Sequence, residues 1–302
     1  MDKFQPGKSV MVKSLSEILS TLDENGSYEG LPFLPEMAKY CEKTFYIQRR
    51  VKKLIQEGVG PKMRRIKNVV LLKGTVCDGE FHEKCQRMCS PLWKTAWLTQ
   101  EHRYNPISIG KKNEDDEQVP SMARLRLSQG RRCQVTELIN ATSPLPLWHP
   151  LRHIWDITEG TYTLGEYLQY VLTKLYQKTL KKLLAKPIER RPVSRPNVIF
   201  PELGLNPGDL VEVRPESEIR STLDDKNKAG GLYFMPGMWK YCGGRFRVLA
   251  RVDRMISEKT GDIRKLNRTV ILQGITCDGQ AHGGCQRGCY VFWKDIWLKR
   301  ID

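Results

Sequence analysis

The stretch Cys277-Asp278-Gly279-Gln280-Ala281-His282-Gly283-Gly284-Cys285-Gln286-Arg287-Gly288-Cys289 has an earlier counterpart in Cys77-Asp78-Gly79-Glu80-Phe81-His82-Glu83-Lys84-Cys85-Gln86-Arg87-Met88-Cys89. The spacing Cys-x4-His-x2-Cys-x3-Cys is the same in both. Three thiols and one imidazole in a thirteen-residue window make a donor set suited to tetrahedral zinc. The Asp-Gly pair supplies the tight turn that brings the second ligand round. Cys77, His82, Cys85 and Cys89 are therefore expected to hold one ion, and Cys277, His282, Cys285 and Cys289 a second. Zinc is the first expectation for these two ions, with iron, mononuclear or clustered, as the alternative. Reading the cysteines as buried packing thiols leaves unexplained why one spacing occurs twice while the residues between it change.

The likeness extends outward on both sides, over residues 7–98 and 208–298. Val10, Val12, Ser16, Glu17, Ile18 and Asp23 recur as Val211, Val213, Ser217, Glu218, Ile219 and Asp224, and Phe33, Pro35, Met37, Tyr40 and Cys41 as Phe234, Pro236, Met238, Tyr241 and Cys242. After a one-residue slip, Trp93, Lys94 and Trp97 match Trp293, Lys294 and Trp297. The slip falls between Lys52 and Asn68 in one copy and between Asp253 and Arg268 in the other, where a hairpin tolerates a change of length. In the second copy Leu210 to Arg214 reads as a strand, and Ser217 to Leu223 as a short helix with a serine cap. Met238 to Tyr241 reads as a helical turn, and Phe246, Val248 and Ala250 as the inward side of a strand paired with Thr269 to Gly274. A last strand, Trp293 to Ile301, would put the two tryptophans on one face, as core residues rather than an exposed stacking pair. The expected fold class is mainly β with an α-helical middle segment, each copy an SH3-like small barrel or open roll carrying a metal knuckle. Cys41 and Cys242, well before the knuckles, are either additional ligands or packing residues.

The knuckle string Cys277 to Cys289 and the string Phe292-Trp293-Lys294-Asp295-Ile296-Trp297-Leu298 resemble a group of uncharacterised bacterial proteins built from this cassette, singly or in tandem. The resemblance covers both copies, about 60% of the chain. It implies a bacterial protein and an association with biosynthetic gene neighbourhoods, and it brings no activity with it. Members often carry a further cysteine in the strand after the first hairpin, where this chain has Leu54 and Met255.

Three segments follow: residues 1–98, a middle segment 99–206, and residues 207–302. In the middle, Asn113 to Gln118 is a charged run that reads as a solvated loop. Cys133 reads as a packing thiol before a helix or strand from Val135 to Ile139. His149 and His153 are four apart, which would place them on one helix face; packing outweighs metal binding there, since no Glu or Cys completes a known pattern. Thr163 to Lys186 reads as the longest helix, capped by Thr163 and stopped before Pro187. Its leucines form an apolar face expected to dock on the barrels. Pro187 to Pro207 reads as a stiff linker.

Fifty Lys and Arg against 34 Asp and Glu give a formal charge of +16. This balance favours an acidic protein or nucleic acid as partner, and residues 163–195 could make peripheral contact with an anionic membrane. The beginning Met1-Asp2-Lys3-Phe4 has no apolar stretch, and no run of eighteen apolar residues occurs, so a cytoplasmic protein without a transmembrane segment is expected. Phosphate loops, nucleophile elbows and HExxH helices are missing from the sequence. The leading expectation is a metal-stabilised scaffold or interaction protein; the other is a metalloenzyme or biosynthetic maturation factor with one catalytic zinc or iron.

Overall fold

A computed structural model describes residues 3–57, 63–100, 133–146, 148–183 and 200–301. The charged run at Asn113 to Gln118 and the basic residues Lys186, Arg190, Arg191 and Arg195 lie outside them. The protein is mainly β and forms two compact units. The first comprises Met1–His149 with Asp253–Leu266 and Cys285–Tyr290; the second comprises Pro150–Val252, Asn267–Gly284 and Val291–Asp302. Unit boundaries thus differ from repeat boundaries, because two pieces of the second repeat complete the first unit.

In the first unit, β1 (Ser9–Val12), β2 (Thr44–Leu54), β3 (Arg64–Leu72), β4 (Trp93–Lys94) and β5 (Leu98–Thr99) form a sheet in the order β4-β3-β2-β1-β5, and β6 (Ser143–Pro144) adds to β3. Alternation decides which side of β1 is buried: Val10 and Val12 are fully covered while Ser9 and Met11 are half-buried. The long β2 pairs antiparallel with both neighbours, and its register to β3 shifts between Ile47 and Arg49 and again between Val51 and Lys53. Such bulges bend a strand and increase its twist. Helix α1 (Leu15–Leu19) begins with a capping box in which Glu17 N donates to Ser14 Oγ at 3.3 Å and Ser14 N to Glu17 Oε2 at 3.0 Å.

The core of this unit is aromatic. Trp93 and Trp97 have no exposed surface, and the Phe33 ring meets both edge-on, at 6.3 and 5.3 Å between centroids. Their indole N–H groups donate to Thr75 and Thr21 hydroxyls at 3.3 and 3.2 Å, which removes the cost of burying an unpaired donor.

After α2 (Pro150–Thr158) and α3 (Leu164–Leu183), the second unit builds its own sheet from β7 (Leu210–Val213), β8 (Arg245–Arg251), β11 (Thr269–Thr276), β12 (Tyr290–Lys294) and β13 (Leu298–Arg300), in the order β12-β11-β8-β7-β13. The intervening β9 (Arg254–Ile256) and β10 (Ile263–Lys265) pair as a ribbon that belongs to the first unit. The strand order of the two sheets is the same, and Phe234 packs on the fully buried Trp293 and Trp297 as Phe33 does on its pair.

Several expectations change. Ser217 does not cap: α4 runs Glu216–Ser221 and Pro215 occupies its N-cap, where the first repeat has Ser14. The closing strand is interrupted by a 3-10 turn, Asp295–Trp297, so Trp297 reaches the core from the turn rather than by alternation. Val135 to Ile139 forms turns, not a regular element. His149 precedes α2 instead of lying in it, and His153 Nδ1 meets Tyr167 Oη at 2.6 Å. Residues 200–207, expected in a linker, are anchored: Arg268 donates to the carbonyls of Phe200 and Pro201 at 3.0 and 2.8 Å, and Leu205 is buried. Helix α3 has the Thr163 cap, with Glu166 N donating to Thr163 Oγ1 at 3.3 Å, yet Leu164, Leu168 and Leu172 are 55 to 65% exposed. That exposure replaces the expected docking for these three leucines.

Candidate metal centre

The loop holding the first cysteine string is fixed by its own backbone. Asp78 Oδ1 accepts from Glu80 N at 3.1 Å, His82 N donates to Gly79 O at 3.0 Å, and Cys85 N to His82 O at 3.0 Å. Cys77 N donates to Cys89 O at 2.9 Å and so ties the two ends of the string together. Gly79 has φ of +74° and its missing Cβ would collide with the Cys85 carbonyl, so glycine is required there.

This loop faces the 3-10 turn Pro35–Tyr40. The turn delivers Glu36, whose side chain, like that of His82, is 1% exposed. Glu36 Oε1 lies 2.7 Å from His82 Nε2 and accepts from Cys77 Sγ at 3.2 Å. One ligand atom each from Glu36, Cys77 and His82 falls within 4.8 Å of the others. Glu36 Oε2 and His82 Nδ1 are buried with no hydrogen-bond partner, which is costly unless something else satisfies them. A carboxylate, a thiolate and an imidazole are zinc-type donors, so these residues fit a metal ion. Burial, and then the nearby Glu36 carboxylate, push the Cys77 thiol far above its usual range. A cation here would reverse that preference.

Of the expected ligands, the structure thus gathers Cys77 and His82 and adds Glu36. Cys85 and Cys89 do not join this three-residue group. In the second repeat Gly237 stands where Glu36 does, His282 Nε2 lies 3.3 Å from Met235 Sδ, and Cys277 packs on the second core. A pocket lined by Met235, Gly237, Cys277 and Asp278 marks the place of the missing carboxylate. Cys41 and Cys242 each follow a 3-10 turn and pack against the two cores; burial raises both thiols, Cys41 to about 12.

Cys85 and Cys285 do something else within the first unit. Cys85 Sγ accepts from Ile256 N at 3.3 Å, and Cys285 Sγ from Ile55 N at 3.4 Å. Gln86 Oε1 accepts from the amides of Asp253 and Arg254 at 2.6 and 3.2 Å; Gln286 Oε1 accepts from those of Lys52 and Lys53 at 2.8 and 3.2 Å. Each Cys-Gln pair therefore binds the strand extension of the other repeat, at equivalent residues. Arg87 and Arg287 both close on Glu258, at 2.6 and 2.8 Å, and Glu258 Oε2 accepts from Glu57 N at 2.8 Å. Burial would raise the Glu258 carboxyl, but Arg287 and Arg87 outweigh it and hold it below the ordinary range.

Sequence reasoning missed Glu36 because matching the repeats discards a residue that becomes Gly237. A lone acid within the apolar run Leu34-Pro35-Glu36-Met37-Ala38 was the available signal. It also left the recurring Gln-Arg pair unassigned, although its presence in both strings marked it. No protein-family model, curated protein or solved structure matches this chain.

Proposed function

We propose that the protein is a metal-stabilised tandem-repeat scaffold, with a zinc ion held by Glu36, Cys77 and His82. The single observation that carries this reading is the buried convergence of those three donors, with Glu36 Oε2 and His82 Nδ1 lacking partners. A bound ion would take one oxygen of Glu36 and one nitrogen of His82 and contribute its binding free energy to folding. Three protein ligands leave a fourth position, which supports the alternative of a catalytic metal; the side chains around it are buried, which favours a structural role. The strand order common to the two sheets supports an SH3-like roll for each repeat. The charge of +16 supports an acidic partner, protein or nucleic acid, and the exposed leucines of α3 support contact with a protein or a membrane surface.

Elemental analysis of protein purified without chelator tests the metal. Zinc should be present in the wild type and lost in Cys77→Ser and His82→Gln. Its absence from gently purified wild type would overturn the proposal. Retardation of DNA or RNA that weakens steeply from low to physiological salt would identify nucleic acid as the partner.

A further inference from the structure

Four thiols, those of Cys77, Cys89, Cys133 and Cys289, line one cavity of the first unit, together with the Arg287 guanidinium and Leu92. Cys89 and Cys289 hold the same position in their repeats, and the exchange of Cys-Gln-Arg segments brings both to this wall. Cys133 comes from the middle segment and is 4% exposed. It is pinned there by its neighbour: Gln134 Oε1 accepts from Leu92 N at 2.8 Å, and Gln134 Nε2 donates to Leu92 O and Pro32 O at 3.0 and 2.9 Å. So three parts of the chain, far apart in sequence, present cysteines to one space.

The spacing and the charge point to the kind of ligand. Among the described residues, Cys89, Cys133 and Cys289 join no group of three donors within 4.8 Å of one another, so their sulfurs are spread more widely than one ion needs. In a polynuclear cluster each thiolate sits on its own iron, so the sulfurs need not converge on one point. Such a cluster with its thiolates is anionic. Arg287 on the wall and Arg87 beside it, 8 and 10% exposed and both fastened to Glu258, supply compensating positive charge.

We infer that this cavity takes an iron–sulfur cluster on Cys89, Cys133 and Cys289, with Cys77 of the Glu36 centre facing its fourth side. This goes beyond the scaffold reading, since it uses three thiols that the zinc site leaves idle. Cys89 and Cys289 are half-buried, which gives iron and sulfide a way in.

The test uses the full chain, purified under nitrogen, incubated with equal amounts of ferric and ferrous iron and with sulfide, the oxidation levels that a four-iron, four-sulfide core carrying two positive charges combines, and then desalted. Iron and acid-labile sulfide should be retained together, with a visible absorption band. Glu36→Gln should lose zinc and keep iron and sulfide; Cys133→Ser and Cys289→Ser should lose iron and sulfide and keep zinc. Because a variant at a buried thiol can fail to fold, alkylation of the wild type is mapped by mass spectrometry before and after incubation. Protection of Cys89 and Cys289 by the cluster is expected. No retained sulfide in the wild type, or equal alkylation in both states, would overturn the inference and leave the zinc reading untouched.

Discussion

Glu57 and Glu258 occupy equivalent positions in the two repeats, yet Glu258 is fully covered and Glu57 is 60% exposed. The asymmetry follows from what each meets: Glu258 takes both arginines, Arg87 and Arg287, while the Glu57 carboxylate keeps an outer contact with Arg87 at 3.1 Å.

Glu258→Gln should therefore destabilise the first unit strongly, by about 3 to 5 kcal/mol, since two buried guanidinium groups lose their shared counter-charge. Glu57→Gln should cost below about 1 kcal/mol, as expected of an exposed pair. Urea denaturation of the two variants checks the contrast; equal costs would refute it.

A pH dependence follows from the same carboxyl. Its folded pKa lies below the ordinary value of 4.5, so the unfolded chain binds its proton more readily than the folded one. The stabilisation is complete above that ordinary value and is lost as the pH falls through the lower, folded one. Denaturation midpoints measured between neutral pH and about pH 3 should fall less steeply at the acid end in Glu258→Gln than in the wild type.

Gly237→Glu should give the second repeat a carboxylate beside His282 and Cys277. A Cβ at this position meets no clash, its nearest atoms being the Asp278 carboxylate oxygens at 3.7 and 3.8 Å. The expected outcome is an additional equivalent of zinc by elemental analysis, abolished again by Cys277→Ser. An unchanged zinc content would show that Met235, next to His282, closes the site.

Gly79→Ala should disrupt the first cysteine loop, because its positive φ costs about 1 to 2 kcal/mol for an L residue and its Cβ meets the Cys85 carbonyl. Gly74→Ala has a φ of +87° but nothing within 4 Å, so it isolates the backbone term. Thermal unfolding and zinc content of the pair should show a larger loss, with metal release, for Gly79→Ala alone.

Gln286→Ala removes an acceptor from two backbone amides, Lys52 N and Lys53 N, and should cost about 1 to 3 kcal/mol if they stay unpaired. Gln86→Ala should cost a similar amount at Asp253 N and Arg254 N. Denaturation of each variant tests whether these side chains carry the exchange or merely accompany it.

The sequence by itself determined the local framework. The two copies, the mainly β character, the paired tryptophans as core and the Asp-Gly turns were all legible, because alternation, turn chemistry and recurrence act over a few neighbouring residues. Thr163 and Glu166 likewise declared the start of α3. Only the tertiary structure decided which donors meet. The cysteine string looked like one self-contained ligand set, but a thirteen-residue loop tied end to end by Cys77 N and Cys89 O points its side chains in different directions. Cys77 and His82 turn toward Glu36, which the repeat pattern gave no reason to choose, and Cys85 turns to the amide of Ile256 in the other repeat. Contacts between residues so far apart in the chain leave no periodic trace in a single sequence, since they depend on how whole strands are placed and not on neighbouring residues.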